Sequence, residues 1–263
     1  MTEATGPEEV LTGGGGDPVV RIGDRVHRVT GPWTPAVHRW LRHLRAVGFA
    51  GAPAVHGLDA AGREVLDFLP GDVPGYPVPD WAWTDAALAA AGELLGRLHV
   101  AGEGFEPEGP WRQPTREPAE VVCHNDAAPY NMVFRAGLPV ALIDFDHGSP
   151  GPRAWDLAYL AYRMVPIAHP GNLDLPAWPR AADRRRRLDL LVAAYATAAA
   201  PLEARLGPAP SAAAVLAVLP DRLEAIAASA VVPSHVAYYL ADAAHARRLP
   251  ASWTAPGWDT TPH

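Results

Sequence analysis

The feature that most constrains this chain is a set of polar residues spaced around two short apolar segments. The stretch runs Val121-Val122-Cys123-His124-Asn125-Asp126-Ala127-Ala128-Pro129-Tyr130-Asn131 and continues from Met132 to Asp146. Met132–Arg135 and Val140–Ile143 are apolar, and Ala136-Gly137-Leu138-Pro139 between them has turn composition, so the pair predicts a β-hairpin. With the turn centred between Gly137 and Leu138, Asn131 and Asp144 face each other at the open end, their Cβ atoms roughly 5 Å apart. Magnesium takes oxygen ligands, keeps several waters and needs only one or two protein carboxylates beside substrate phosphates, a demand that Asn131 and Asp144 meet. Pro129 keeps the preceding loop out of helix, so Asp126 reaches the same cleft without having to ligate and is free to act as a base.

Around this centre the chain divides by pattern. Val19–Ile22 and Arg25–Val29, separated by Gly23-Asp24, predict a hairpin. Thr34 as N-cap, Pro35 in the first turn, and Val37, Trp40, Leu41 and Leu44 at helical spacing predict a helix that Gly48 ends. Val55–Leu58 and Glu64–Phe68 read as strands. Leu69–Pro79 holds four prolines and two glycines and reads as an extended connector. Beyond it, Leu88, Ala91, Leu94, Leu95 and Leu98 form the stripe of a long helix, and the chain from Asp183 onward reads as helical. Arg184–Arg187 are expected on an exposed helix face.

Composition narrows the function classes. The 263 residues carry a net charge of −7, which argues against nucleic acid and anionic membrane surfaces as partners. One cysteine, Cys123, excludes an internal disulfide and fits a reducing cytoplasm. Met1–Asp17 is acidic and glycine-rich, and no segment gives a long uninterrupted apolar run, so neither an export signal nor a membrane span is expected. No lysine occurs; all 22 residues in the Lys+Arg count are arginine.

In phosphoryl transfer a loop aspartate orients the acceptor hydroxyl and takes its proton, while metal neutralises charge on the phosphates. Here that aspartate is Asp126, with His124 two residues before it, Asn131 five after it and Asp144 thirteen beyond that. His124-Asn125-Asp126 through Asn131, Ile143-Asp144-Phe145-Asp146 and Asp156-Leu157-Ala158 resemble the aminoglycoside phosphotransferase, or phosphotransferase enzyme, family, whose relatives include choline and homoserine kinases. The resemblance is concentrated in Val121–Tyr162. It implies an α+β, two-lobed protein-kinase-like fold, with a small β-rich nucleotide-binding lobe at 1–71 and a mostly helical lobe at 72–263. The implied activity moves the γ-phosphoryl of ATP or GTP to a hydroxyl of a small molecule. Asp126 would be the base, Asn131 and Asp144 the Mg2+ ligands, and Asp156 a brace for the catalytic loop.

The departures are informative. The family commonly has glycine where this chain has Asn125. The strand lysine that grips phosphate is missing, and Arg28 is its substitute on the corresponding strand, although arginine is not a like-for-like replacement. The helix Thr34–Val47 has no acid, so the usual lysine–glutamate pair has no counterpart there. Leu66, Asp67 and Phe68 resemble the hinge that holds adenine through backbone hydrogen bonds. Gly13–Gly16 is a weak candidate for the phosphate-covering turn. Tyr159, Tyr162 and the C-terminal helices are expected to frame the acceptor. His124 is expected to order the loop rather than act as acid or base. Two other readings stand beside the kinase: a degenerate nucleotide-binding or scaffolding protein, and a metal hydrolase using His124, Asp146 and His147.

Overall fold

A computed structural model describes residues 7–11, 19–169, 172, 181–230 and 232–249. Gly13–Gly16 lie outside the described residues. The strands β1 (Glu8–Leu11), β2 (Val19–Ile22), β3 (Arg25–Arg28), β4 (Val55–Leu58) and β5 (Glu64–Asp67) form one antiparallel sheet in the order β1-β2-β3-β5-β4. β1 was not expected from sequence, because four residues beside a glycine run carry no readable alternation. The helix α1 (Thr34–Ala46) packs beside the sheet through Val37, Trp40, Leu41 and Leu44, all essentially fully buried. Thr34 is not its N-cap. Trp33 holds that position, and the Thr34 hydroxyl instead accepts the Gly31 N–H at 2.9 Å, closing the turn before the helix.

The rest is mainly helical: α2 (Asp85–Ala101), α3 (Arg153–Met164), α4 (Ala181–Ala199), the short α5 (Glu203–Leu206), α6 (Ala212–Ser229) and α7 (Pro233–Ala246). Two small antiparallel ladders sit among them. β6 (Val121–Cys123) pairs with β9 (Ser149–Gly151), and β7 (Met132–Arg135) forms a hairpin with β8 (Leu138–Leu142). That hairpin turns one residue earlier than predicted. Ala136 and Gly137 are its two central residues, at φ +50° and +78°, which is the sign pattern of a type I′ turn. At the open end the Ile143 N–H donates to the Asn131 carbonyl at 2.9 Å, so Asn131 lies opposite Ile143 rather than Asp144.

Sheet and helices are tied by backbone as well as by packing. Asp72 and Phe134 exchange hydrogen bonds of 2.9 and 2.7 Å, and the Leu142 N–H donates to the Gly51 carbonyl. The connector can approach the hairpin this closely because residue 71 is glycine: at φ +149°, an added Cβ would lie 2.5 Å from the Phe134 oxygen. Arg187, expected on an exposed face, is 2% exposed. It donates to the carbonyls of Trp83 and Met164 and pairs with Asp85, so it ties α4 to the entry of α2 and to the end of α3. Among the described residues no helix is long and apolar enough to cross a membrane.

The seam between α2 and α4 depends on two glycines. A Cβ on Gly92 would meet the Leu191 oxygen at 2.7 Å, and one on Gly96 would meet the Tyr195 oxygen at 2.9 Å. Alanine gains about 1 kcal/mol of intrinsic helix preference over glycine, while overpacking a core costs typically about 1–3 kcal/mol. Because both obstacles include backbone, packing is expected to win. Thermal unfolding of Gly92→Ala or Gly96→Ala is expected to show a lower Tm by a few degrees.

Candidate active site

The loop after β6 is built around one buried carboxylate. Asp156, on the first turn of α3 and 0% exposed, accepts the His124 N–H at 2.7 Å on Oδ2 and the Asn125 N–H at 2.8 Å on Oδ1. His99 of α2 lies 3.1 Å from the same Oδ2, and its other ring nitrogen is 2.8 Å from the Tyr195 hydroxyl of α4. Burial alone would raise the Asp156 pKa, but His99 and the backbone donors outweigh it and hold it below the usual carboxylate value. Asn125 sits at φ +62°, a left-handed conformation in which asparagine is among the better tolerated side-chain-bearing residues. This explains how it stands where the family commonly has glycine. Its amide also donates to the His147 carbonyl and the Ser149 hydroxyl, stitching the loop to the start of β9.

His124 is fully enclosed and works on the loop itself. Its Nδ1 accepts the Asp126 N–H at 3.2 Å, its Nε2 lies 3.0 Å from the Ile143 carbonyl, and its ring packs on Phe145. Burial lowers its pKa and favours the neutral ring that this pairing needs. Asp126 follows at the tip. Its Oδ1 accepts the Tyr130 hydroxyl at 2.7 Å and its Oδ2 accepts the Asn131 amide at 2.8 Å. Burial raises the Asp126 pKa, and the Tyr130 hydrogen bond only partly opposes this. Asn131 uses its Nδ2 twice on Asp126, leaving Oδ1 as the amide atom not committed to that residue.

Asp144 adopts φ +61° and ψ +64°, a strained conformation for an aspartate and one that clusters at functional positions. Its Oδ1 accepts Arg28 Nη1 at 2.8 Å. The same guanidinium donates from Nε to Glu64 at 2.5 Å and from Nη2 to Asp146. Burial works against the charge on Arg28, but these three carboxylates outweigh it and raise its pKa. Asp144 is pulled below its ordinary value by Arg28 in spite of burial, while for Asp146 burial prevails and its pKa rises. One arginine therefore faces three acids, with Arg112 3.9 Å from Asp146 at the rim and His38 within hydrogen-bond distance of Glu64. The surplus of negative charge suits a divalent cation.

The missing helix acid thus has a replacement from another element. Glu64 on β5 stands opposite Arg28 in the sheet register and is 1% exposed. Its second oxygen is 2.8 Å from His38 Nε2 of α1, so the strand-to-helix link is made through an acid on the sheet. Sequence reading missed Glu64 and His38. Their signal was the β3–β5 pairing, which places residue 64 beside residue 28 only once the strand order is known.

Two cavities flank this centre. One, of about 300 Å3, is mostly apolar and is lined by Leu66, Asp67 and Phe68 together with Arg28, Asn131 and Asp144. The N–H groups of Asp67 and Phe68 already donate to the carbonyls of Ala54 and Asp24, so these residues offer the cavity wall rather than free backbone donors. The other, of about 200 Å3, contains Asp126, and Tyr130 lines both. Tyr159 lines the second cavity. Tyr162 does not, because its hydroxyl is turned to Asp242 at 2.6 Å. The hydrolase grouping is not assembled: His124 faces Ile143, His147 faces Gln113 and Asp146 faces Arg28.

Removing the Asp156 charge tests the brace. Asp156→Asn mispairs an amide with a buried backbone N–H and is expected to cost about 3 kcal/mol, a typical penalty for breaking a buried charged hydrogen-bond network. Because the folded pKa is depressed, the stability conferred by the charge is fully present above the unfolded carboxylate value of about 3.9. It is lost as pH falls through the lower folded value. Chemical denaturation of both proteins is expected to give a constant gap above about pH 5 that narrows in more acidic solution.

The comparisons agree with this geometry. The profile of the phosphotransferase enzyme family matches residues 107–191, which span the catalytic loop, the hairpin and α3. A trifolitoxin immunity protein from Rhizobium leguminosarum bv. trifolii is 42% identical over 151 residues, covering 54% of this chain and 56% of that protein. Among solved structures, choline kinase from Cryptosporidium parvum Iowa II superposes with a TM-score of 0.64 at 13% identity, covering 98% of this chain and 92% of the other. The ADP-bound aminoglycoside phosphotransferase APH(2'')-Ib gives 0.55 at 11% identity, covering 94% and 93%. Macrolide 2'-phosphotransferase from Brachybacterium faecium gives 0.52 at 16%, covering 92% of each chain. The chain has the protein-kinase-like α+β fold, and its residues 107–191 are similar to the phosphotransferase enzyme family.

Proposed function

We propose that this protein transfers the γ-phosphoryl group of ATP or GTP to a hydroxyl of a small molecule. The observation that carries the reading is the meeting of the two cavities. Asn131 and Asp144 line the apolar one, Asp126 lines the polar one, and Tyr130, which donates to Asp126, belongs to the wall of both. A donor in one cavity and an acceptor in the other would meet at that wall, the arrangement in-line transfer requires. Residues 1–71 would serve the nucleotide side, and 72–263 the catalytic loop and acceptor.

The division of labour follows from the protonation states. Asp126 accepts hydrogen bonds on both oxygens and sits in a site where burial raises its pKa, so its carboxylate is a stronger base than an exposed aspartate. It would orient the acceptor hydroxyl and take its proton as the new P–O bond forms and the bond to the β-phosphate oxygen breaks. Asn131 Oδ1 and the uncommitted oxygen of Asp144 fit the oxygen donors that Mg2+ prefers. When bound there, the ion would neutralise charge on the phosphates. Arg28 would hold Asp144 in place and, through N–H groups not used by its three acids, approach phosphate. That triple commitment also favours a second reading, a nucleotide-binding protein of the same fold without turnover.

Asp126→Asn separates the two. Loss of a general base costs typically about 10^2–10^4-fold in rate. Phosphoryl transfer by the variant is expected to fall by that range while nucleotide affinity, measured by calorimetry, is retained. In the wild type the rate is expected to decline in acid with an apparent pKa above the ordinary aspartate value. Equal turnover in both proteins would remove Asp126 from the mechanism, and nucleotide binding without turnover in the wild type would favour the second reading.

A further inference from the structure

The cavity that holds Asp126 has an unusual charge pattern for a site facing a base. Asp126 is its one carboxylate among the described residues, whereas two guanidiniums, Arg116 and Arg222, lie in its wall. Both pack on the same indole: the Arg116 guanidinium carbon is 4.1 Å from the centroid of Trp155 and that of Arg222 is 5.3 Å from it. Arg222 also lies over the Tyr159 ring at 4.7 Å. It is 6% exposed, donates from Nη2 to the Asn125 carbonyl in the catalytic loop, and its Nε has no hydrogen-bond partner. Among the described residues no Asp or Glu forms an ion pair with either arginine. Burial and the nearby charge of Arg222 both lower the Arg116 pKa.

A buried arginine is ordinarily paired, because an unpaired buried charge is costly. Two arginines held together on an indole in the wall of one cavity leave a place for an anion. Guanidinium forks match the oxygens of carboxylate and phosphate. A polycation such as an aminoglycoside, or a quaternary amine such as choline, would meet repulsion here instead. The cavity volume of about 200 Å3 fits a compact molecule rather than an oligosaccharide.

We propose that the acceptor is a small hydroxyl compound that also bears an oxyanion, a carboxylate or a phosphate, gripped by Arg222 and Arg116 while its hydroxyl faces Asp126. This rests on the phosphotransferase reading for the role of Asp126, but the anion site itself is testable without turnover. Isothermal calorimetry on the full chain would compare four matched probes: glycerol 3-phosphate, glycerate, glycerol and choline, with Mg·ATP titrated separately. The expected result is saturable binding of glycerol 3-phosphate or glycerate, which tells phosphate from carboxylate, with no binding of glycerol or choline. Arg116→Gln, a change at a partly exposed side chain, is expected to weaken the anion at least tenfold, and Arg222→Lys, which keeps the charge but not the fork, to weaken it less than Arg222→Gln. Failure of both anions to bind, choline binding as tightly as they do, or affinity unchanged in Arg116→Gln would overturn the proposal. Mg·ATP binding alongside such a failure would leave phosphoryl transfer standing, whereas anion binding without any nucleotide binding would leave the anion site standing and remove the phosphotransferase reading.

Discussion

The site depends on one carboxylate with no exposed surface, Asp156. Asp156 lies at the junction of α2, α3 and the loop after β6, and its two oxygens fix the N–H groups of His124 and Asn125. Those two residues then do the rest: His124 ties the loop to Ile143 at the end of the hairpin, and Asn125 ties it to His147 and Ser149. Asp126 is thereby projected into one cavity with a defined orientation, accepting hydrogen bonds from Tyr130 and Asn131, which line the other. The arrangement is expensive, since it buries an acid and two imidazoles, and each has its partners: His99 bonds Asp156 and Tyr195, and the His124 ring bonds the Asp126 N–H and the Ile143 carbonyl. A network of this kind is stable when complete and costly when any member is lost.

The two sides of the centre are complementary in charge. Beside the apolar cavity, Glu64, Asp144 and Asp146 surround Arg28, leaving excess negative charge near the oxygens proposed to meet a metal ion. On the opposite side, Arg116 and Arg222 leave excess positive charge around Asp126. A chain without lysine has built both from arginine, whose planar fork can bind several acids at once or stack on a ring. The same property explains why the missing lysine–glutamate pair is not missing in effect. Arg28 reaches Glu64 across the ladder, and His38 carries the connection on to α1.

Much of this was legible in the sequence because the informative residues are close together in it. The Asp126, Asn131 and Asp144 spacing, the hairpin between the last two and the brace at Asp156 are local patterns, and the family match falls on the same stretch. What was not legible depends on pairings distant in sequence. Glu64 meets Arg28 only through the β3–β5 register, and Arg222 reaches the loop from α6, ninety-seven residues beyond its partner Asn125. The hairpin was placed one residue off because Ala136, not Leu138, takes the left-handed turn position with Gly137. Arg187 looked like a surface charge in a run of arginines, and only the carbonyl ends of neighbouring elements reveal why it is buried.

The central claim is that the apolar cavity ending at Asp144 holds a magnesium-bound nucleotide. Its most direct test is the melting temperature with ATP, with and without Mg2+, for the wild type and for Asp144→Asn, a variant that tolerates the left-handed backbone at this position. Ligand at about 100 times its Kd stabilises a fold by about 2.7 kcal/mol, or roughly 5–10 °C for a chain of this size. The account predicts a rise of that order in the wild type that requires Mg2+ and is largely lost in Asp144→Asn. No rise with either nucleotide, or the same rise without Mg2+ and in the variant, would contradict it.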